Sequence, residues 1–167
     1  MNGVSDGEDH VDLIQSQWRR ERPDVDVSPQ GVIGRLHRLA LALTEELVEV
    51  YRDFGLSEGE FDLLCALRRS GEPFECQPSE LARLTMVTTG GTTKRIDRLE
   101  ASGFVVRSTA NSPDARAKRI RLTDRGRHLI DEAFTAHMAN EVRLAAMLSV
   151  HDRETLEPIL KTWLACL

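Results

Sequence analysis

The hydrophobic period of this chain changes once and then changes back. Apolar residues recur every three or four positions up to Gly103, Phe104 to Ser108 is rich in β-branched and aromatic residues, Arg119 to Leu122 alternates charged with apolar side chains, and helical spacing resumes after Thr123. Turn formers, Asn111 to Asp114, separate the two strand-like stretches. One β-hairpin set among helices satisfies that pattern, so the fold class is mainly α with a small β-hairpin wing. The sequence shows no internal repeat and no linker long enough to part independent domains.

Local signals punctuate the helices. Val11, Ile14 and Trp18 predict a short helix over Asp9 to Arg22, stopped by Pro23. Ser28 and Pro29 offer a cap and a first helical residue to a long helix carrying Val32, Leu36, Leu39, Leu43, Leu47, Val50 and Phe54, ended by Gly55. Ser57 and Glu60 form a capping box ahead of Phe61, Leu64, Cys65 and Leu67, and Ser70 with Gly71 stops that helix. Gln77, Pro78 and Glu80 open another, lasting to about Leu84. The next is expected from near Thr88 to Ser102, with Gly90 and Gly91 letting the backbone approach a partner. A start near Thr92, the glycines marking a loop, is the alternative. After the hairpin, Thr123 caps a long helix with Ile130, Phe134, Met138, Val142, Ala145 and Leu148 on one side. A last helix carries Leu156, Leu160, Trp163 and Leu167, and Pro158 inside it should bend it or delay its start.

Two helices joined by a tight turn and followed by a hairpin make a winged helix-turn-helix, whose second helix enters the major groove of double-stranded DNA. The net charge of −5 argues against a polyanionic partner, but the charge is segregated. Arg83 to Arg127 holds eleven Lys or Arg against four Asp or Glu, while the remainder has an acidic excess of twelve. Thr88, Thr89, Thr92, Thr93, Lys94, Arg95 and Arg98 stand on or beside the expected recognition helix, supplying hydroxyls, methyls and cations for base edges and phosphates. Lys118 adds a cation on the wing.

Other classes find less support. No Gly-x-Ser-x-Gly elbow, phosphate loop or His-Glu-x-x-His pair is present, so no enzyme is expected. His128 and His137 fall on opposite sides of an ideal helix, and a metal would need ligands from elsewhere. Cys65, Cys76 and Cys166 are odd in number and lack CxxC spacing, which predicts reduced thiols. No run approaches the roughly 18 to 20 apolar residues of a membrane span, and Met1 to Asp12 does not read as a secretory signal, so a cytoplasmic protein with no membrane partner is expected.

The stretches TTGGTTKRIDRLEASGFVVR, Thr88 to Arg107, and SPDARAKRIRLTDRG, Ser112 to Gly126, resemble the recognition helix and wing of the MarR family of transcription regulators. The resemblance covers most of the chain. It implies a dimeric winged-helix architecture in which residues 57–122 form the DNA-binding lobe, residues 28–56 and 123–167 a helical dimerisation lobe, and residues 1–27 an extension with an added helix. It implies that Arg116 enters a minor groove and that Asp114 braces the wing. Ala115 departs from the arginine that many members carry between those two. A two-fold homodimer would read a pseudo-palindromic operator.

The strings QSQWRRERPDVDVSP and FDLLCALRRSG are similar to the subset that responds to urate or related organic anions. That likeness implies a ligand site of Trp18, Asp62 and Arg69, taking a small organic anion or phenol as effector, with no cofactor required. Trp18 could equally anchor its helix, and Asp62 with Arg69 could be a surface pair. Two further alternatives are a redox-sensing regulator of the same fold using Cys76, and a winged-helix module that binds protein.

Overall fold

The structure, a computed structural model, describes residues 7–85, 91–109 and 118–167. Of the residues singled out above, Thr88, Thr89, Asp114, Arg116 and the side chain of Lys118 lie outside that description. The described residues form seven helices and a three-stranded antiparallel sheet of order β1-β3-β2. The chain divides into two compact units, Met1–Glu46 and Leu47–Leu167.

In the first unit, α1 (His10–Glu21) starts at a reciprocal capping box. Asp9 accepts from the N–H groups of Val11 and Asp12, and the Asp12 carboxylate accepts from the Asp9 N–H. Arg35, on α2 (Gln30–Asp53), reaches both carboxylates at 2.8 Å. Val11 is buried over Gly34, where an added Cβ would sit 3.3 Å from a Val11 methyl. Buried Gln15 donates to the carbonyl of Val27 at 2.8 Å. A short polar helix is therefore held by specific contacts rather than by apolar area. Ser28 does not cap α2 as expected. Its hydroxyl and its N–H both donate to Asp26, and the helix begins at Gln30.

The second unit is built around α3 (Glu58–Arg69), whose capping box of Ser57 and Glu60 forms as the sequence predicts. Leu63, Leu64, Ala66 and Leu67 are each at most 1% exposed, so the helix is covered on nearly every side. It packs against α4 (Pro78–Leu84), α5 (Thr92–Ala101), α6 (Asp124–Ala145) and β3 (Lys118–Leu122). β3 pairs with β2 (Val105–Thr109), the expected hairpin, and also with β1 (Glu75–Cys76), which the sequence reading lacked. Phe74 has a left-handed φ of 57°, and its carbonyl accepts from Leu122 N–H, which delivers Glu75 and Cys76 to the free edge of β3.

Two further expectations are corrected. The inward stripe of α6 is Gly126, Ile130, Ala133 and His137, whereas Phe134, Met138 and Val142 are exposed. A strict i+4 series turns about 40° per step and so drifts off any straight seam. His137 lies among Tyr51, Phe61 and Phe134, with Tyr51 Oη 3.2 Å from its Nδ1 and Glu141 3.2 Å from its Nε2, and burial pushes the Tyr51 hydroxyl up to about 12. Pro158 does not delay α7 (Val150–Leu164), which Ser149 caps nine residues earlier by accepting from Asp152 N–H. α7 buries none of its residues.

The Leu-Thr-x-x-Gly run at the end of the wing acquires a physical reason. Thr123 Oγ1 accepts from Gly126 N–H at 2.9 Å and donates to the Gly103 carbonyl at 2.8 Å, tying the start of α6 to the start of β2. Gly126 then passes so close to Phe104 that an added Cβ would lie 2.8 Å from its carbonyl carbon. Gly126→Ala should cost about 2 to 3 kcal/mol of unfolding free energy in urea titration, since the obstacle is backbone. Wild-type stability in that variant would remove the close approach.

The Asp9 carboxyl is held down to about 2, first by Arg35 and then by the Asp12 N–H. A depressed carboxylate contributes stability above its ordinary value of 3.8 and loses it as pH falls toward 2. Proteolysis of α1 in wild type and in Asp9→Asn should therefore differ at neutral pH, and the difference should close between about pH 4 and 2. A difference that persists unchanged to pH 2 would place the support of α1 elsewhere.

Candidate nucleic-acid interface

The helix-turn-helix consists of α4 and α5. Pro78 occupies the first turn of α4, and Leu81 is fully buried beneath it. α5 begins at Thr92, not near Thr88, with Gly91 as its N-cap at φ +85°. A left-handed residue cannot continue a right-handed helix, so the alternative start is the one observed.

Ile96 and Leu99 face the core, at 3% and 2% exposure. On an ideal helix the position opposite that seam is Lys94, which is exposed. The two flanks are held by charges of opposite sign. On one, Arg98 Nε lies 2.9 Å from Glu60 Oε1, and Arg95 lies so near α3 that a Cβ on Gly59 would meet its Cδ at 2.9 Å. On the other, Asp97 and Glu100 both accept from Arg107 of β2. These pairs raise the already high affinity of the Arg107 guanidinium for its proton, Asp97 foremost. Thr92 is half-buried and Thr93 exposed. Behind the wing, Arg125 donates to the Ser102 carbonyl at 3.0 Å and lies 4.8 Å from the Phe104 ring centre.

The basic excess is therefore partly answered within the protein. Besides Arg98 and Arg107, Arg119 pairs with Glu75 at 3.5 Å and Arg127 with Asp124 at 3.8 Å. Among the described residues Arg83, Lys94 and Arg121 make no ion pair and are exposed. Local sequence patterns mark neither Arg107 as a clamp nor Glu60 as more than a cap. Their partners are seven to thirty-eight positions away, and no local periodicity links them.

The expected effector residues are distributed over both units. In the first, Trp18 is 48% exposed and borders a cavity of about 370 Å³ with Arg22, Val25, Asp26, Val27, Pro29 and Gln30. In the second, Asp62 is buried, Arg69 stands 4.0 Å from it, and the same arginine donates to the Leu84 carbonyl. Arg69 also borders a cavity of about 280 Å³ with Cys65, Arg68, Ile130, Asp131 and Phe134. Two of the three thiols, Cys65 and Cys76, are poorly disposed for redox chemistry. Burial pushes Cys65 up to about 12, and Cys76, 2% exposed in β1, is raised by burial as well.

A sequence profile described as the MarR family matches residues 54–117. The chain is 38% identical over 149 residues to the HTH-type transcriptional regulator PecS of Dickeya dadantii, spanning 89% of each. Its fold is similar to that of a MarR-like transcription regulator from Bacillus cereus, with a TM-score of 0.75, 18% identity and coverage of 85% of this chain and 99% of that one. It is similar too to Bordetella bronchiseptica BpsR, whose DNA binding 6-hydroxynicotinic acid regulates, with a TM-score of 0.70, 23% identity and coverage of 83% and 96%.

Lys94→Ala should weaken binding to duplex DNA of any sequence and lower the slope of log affinity against log salt by about one. Fluorescence anisotropy at several salt concentrations measures both. An unchanged slope would take Lys94 off the phosphate backbone.

Proposed function

From the premise that this chain belongs to the MarR family and is a winged-helix DNA-binding transcription regulator, we propose that it is a ligand-responsive repressor acting as a homodimer on a pseudo-palindromic operator. The observation that carries this reading is the likeness, over 89% of each chain, to a named transcriptional regulator, with α5 presenting Lys94 and Thr93 on its outer side. In this proposal Thr88, Thr89, Thr92, Thr93, Lys94, Arg95 and Arg98 serve the major groove, directly or by orienting one another. Arg116 and Lys118 serve the wing, braced by Asp114. Residues 57–122 are the DNA-binding lobe, and residues 28–56 and 123–167 carry dimerisation.

The proposed dimer accounts for apolar surface that is otherwise unexplained. Val32, Ile33, Leu39 and Leu41 on α2, Met138 and Val142 on α6, and Val150, Ile159, Leu160 and Leu164 on α7 are all exposed. A second copy is the natural cover for such a quantity. No helix among the described residues is long and apolar enough to cross a membrane, and we place the regulator in the cytoplasm, with no cofactor and no catalytic role.

For the effector, Trp18 offers an exposed ring for stacking on a planar ligand and Arg69 a cation for its negative charge, with Asp62 positioning that arginine. A small organic anion or phenol fits this chemistry. Cys76, buried and with its thiol raised by burial, gives the redox alternative no comparable support.

Selection from random duplexes should return a pseudo-palindrome with half-sites about one helical turn apart, and light scattering should give twice the 18.8 kDa chain mass. Trp18→Ala and Arg69→Ala should keep operator affinity and lose release by the effector found in a screen. A monomer in solution, or selection without an enriched motif, would overturn the reading.

A further inference from the structure

The carboxylate of Glu60 serves two elements at once. One oxygen, Oε2, accepts from the N–H and hydroxyl of Ser57 at 2.9 and 2.6 Å, closing the capping box of α3. The other, Oε1, meets Arg98 of α5 at 2.9 Å. Glu60 is only 8% exposed, whereas the Arg98 side chain is 55% exposed. The anion is thus the fixed partner and the cation the one that reaches for it. Beside it, Gly59 has no side chain, and Arg95, three residues before Arg98 on the same flank, fills that space. A buried carboxylate whose second oxygen serves only a surface arginine is a costly arrangement to maintain for helix capping alone, because glutamine caps equally well.

We propose that Glu60 is a positioning residue for DNA recognition: through Arg98 it fixes the rotation of α5 about its own axis, and so the direction in which Lys94 and Thr93 are presented to the groove. The opposite flank, where Asp97 and Glu100 meet Arg107, holds α5 against β2, and the Glu60–Arg98 pair links the other flank to α3. Arg98 then acts inward, as the link between helices, and not as a phosphate contact. This inference rests on the DNA-binding reading and adds to it a residue that touches no DNA.

Glu60→Gln separates the two roles, since glutamine preserves the capping box and removes the charge that holds Arg98. Arg98→Gln breaks the same link from a surface position that leaves α3 untouched. Both variants and the double variant are compared with wild type by anisotropy on the selected operator and on a scrambled duplex, over a range of salt, with thermal melts to show that each is folded. Each single variant should bind the operator about tenfold more weakly, lose clearly less than that on the scrambled duplex, and keep the wild-type salt slope. The double variant should be no weaker than either single one. Unchanged or tighter operator binding by Glu60→Gln would overturn the proposal, as would a slope that falls by about one in Arg98→Gln, the mark of a lost phosphate contact. If wild type itself selects no motif, the DNA-binding reading fails first and this proposal falls with it.

Discussion

The burial of α3 is the constraint on which the rest of the second unit depends. A helix covered on nearly all sides must have neighbours at several angles, and the sequence supplies them as α4, α5, α6 and β3. Its buried residues include two acids, Glu60 and Asp62, which have to be answered locally. Glu60 is answered by Ser57 and Arg98. The helix that looks like plain core is thereby also the place where the recognition element is attached.

The electrostatics follow from that attachment. Seven excess positive charges over Arg83 to Arg127 suggest a cationic surface, yet several of the arginines are spent on joining elements of the protein to one another. Arg107 neutralises two acids on α5 that would otherwise repel a phosphate backbone. What faces outward is less than the count implies. The identity of the chain as a DNA-binding regulator therefore stands on its likeness to relatives across its length, and the charge count alone would have been a weaker argument.

Features written in neighbouring residues were legible in the sequence. The Ser57–Glu60 capping box, the hairpin, the Thr123 cap and the ends of α3 and α4 each depend on side chains within a few positions of the backbone they serve. What escaped was set by contacts distant in sequence. β1 is two residues long and exists only because β3 offers an edge. The seam of α6 contains a glycine and a histidine, which no apolar pattern would select, while its regular leucine-like series lies outside. At the candidate site the residue types of α5 were readable, but their direction was not. Whether an arginine turns toward a groove or toward its own core depends on Glu60 and Gly59, more than thirty positions earlier.

α7 carries the last consequence. Fifteen residues of helix that bury no side chain, with a proline at their ninth position, have little intrinsic tendency to persist in water. In the proposed dimer their order is a property of the pair, so the ordered fraction rises with the amount of protein present. A cell that makes few copies would hold chains with a protease-accessible tail, and one that makes many would protect them. Abundance of the regulator would then feed back on its own lifetime.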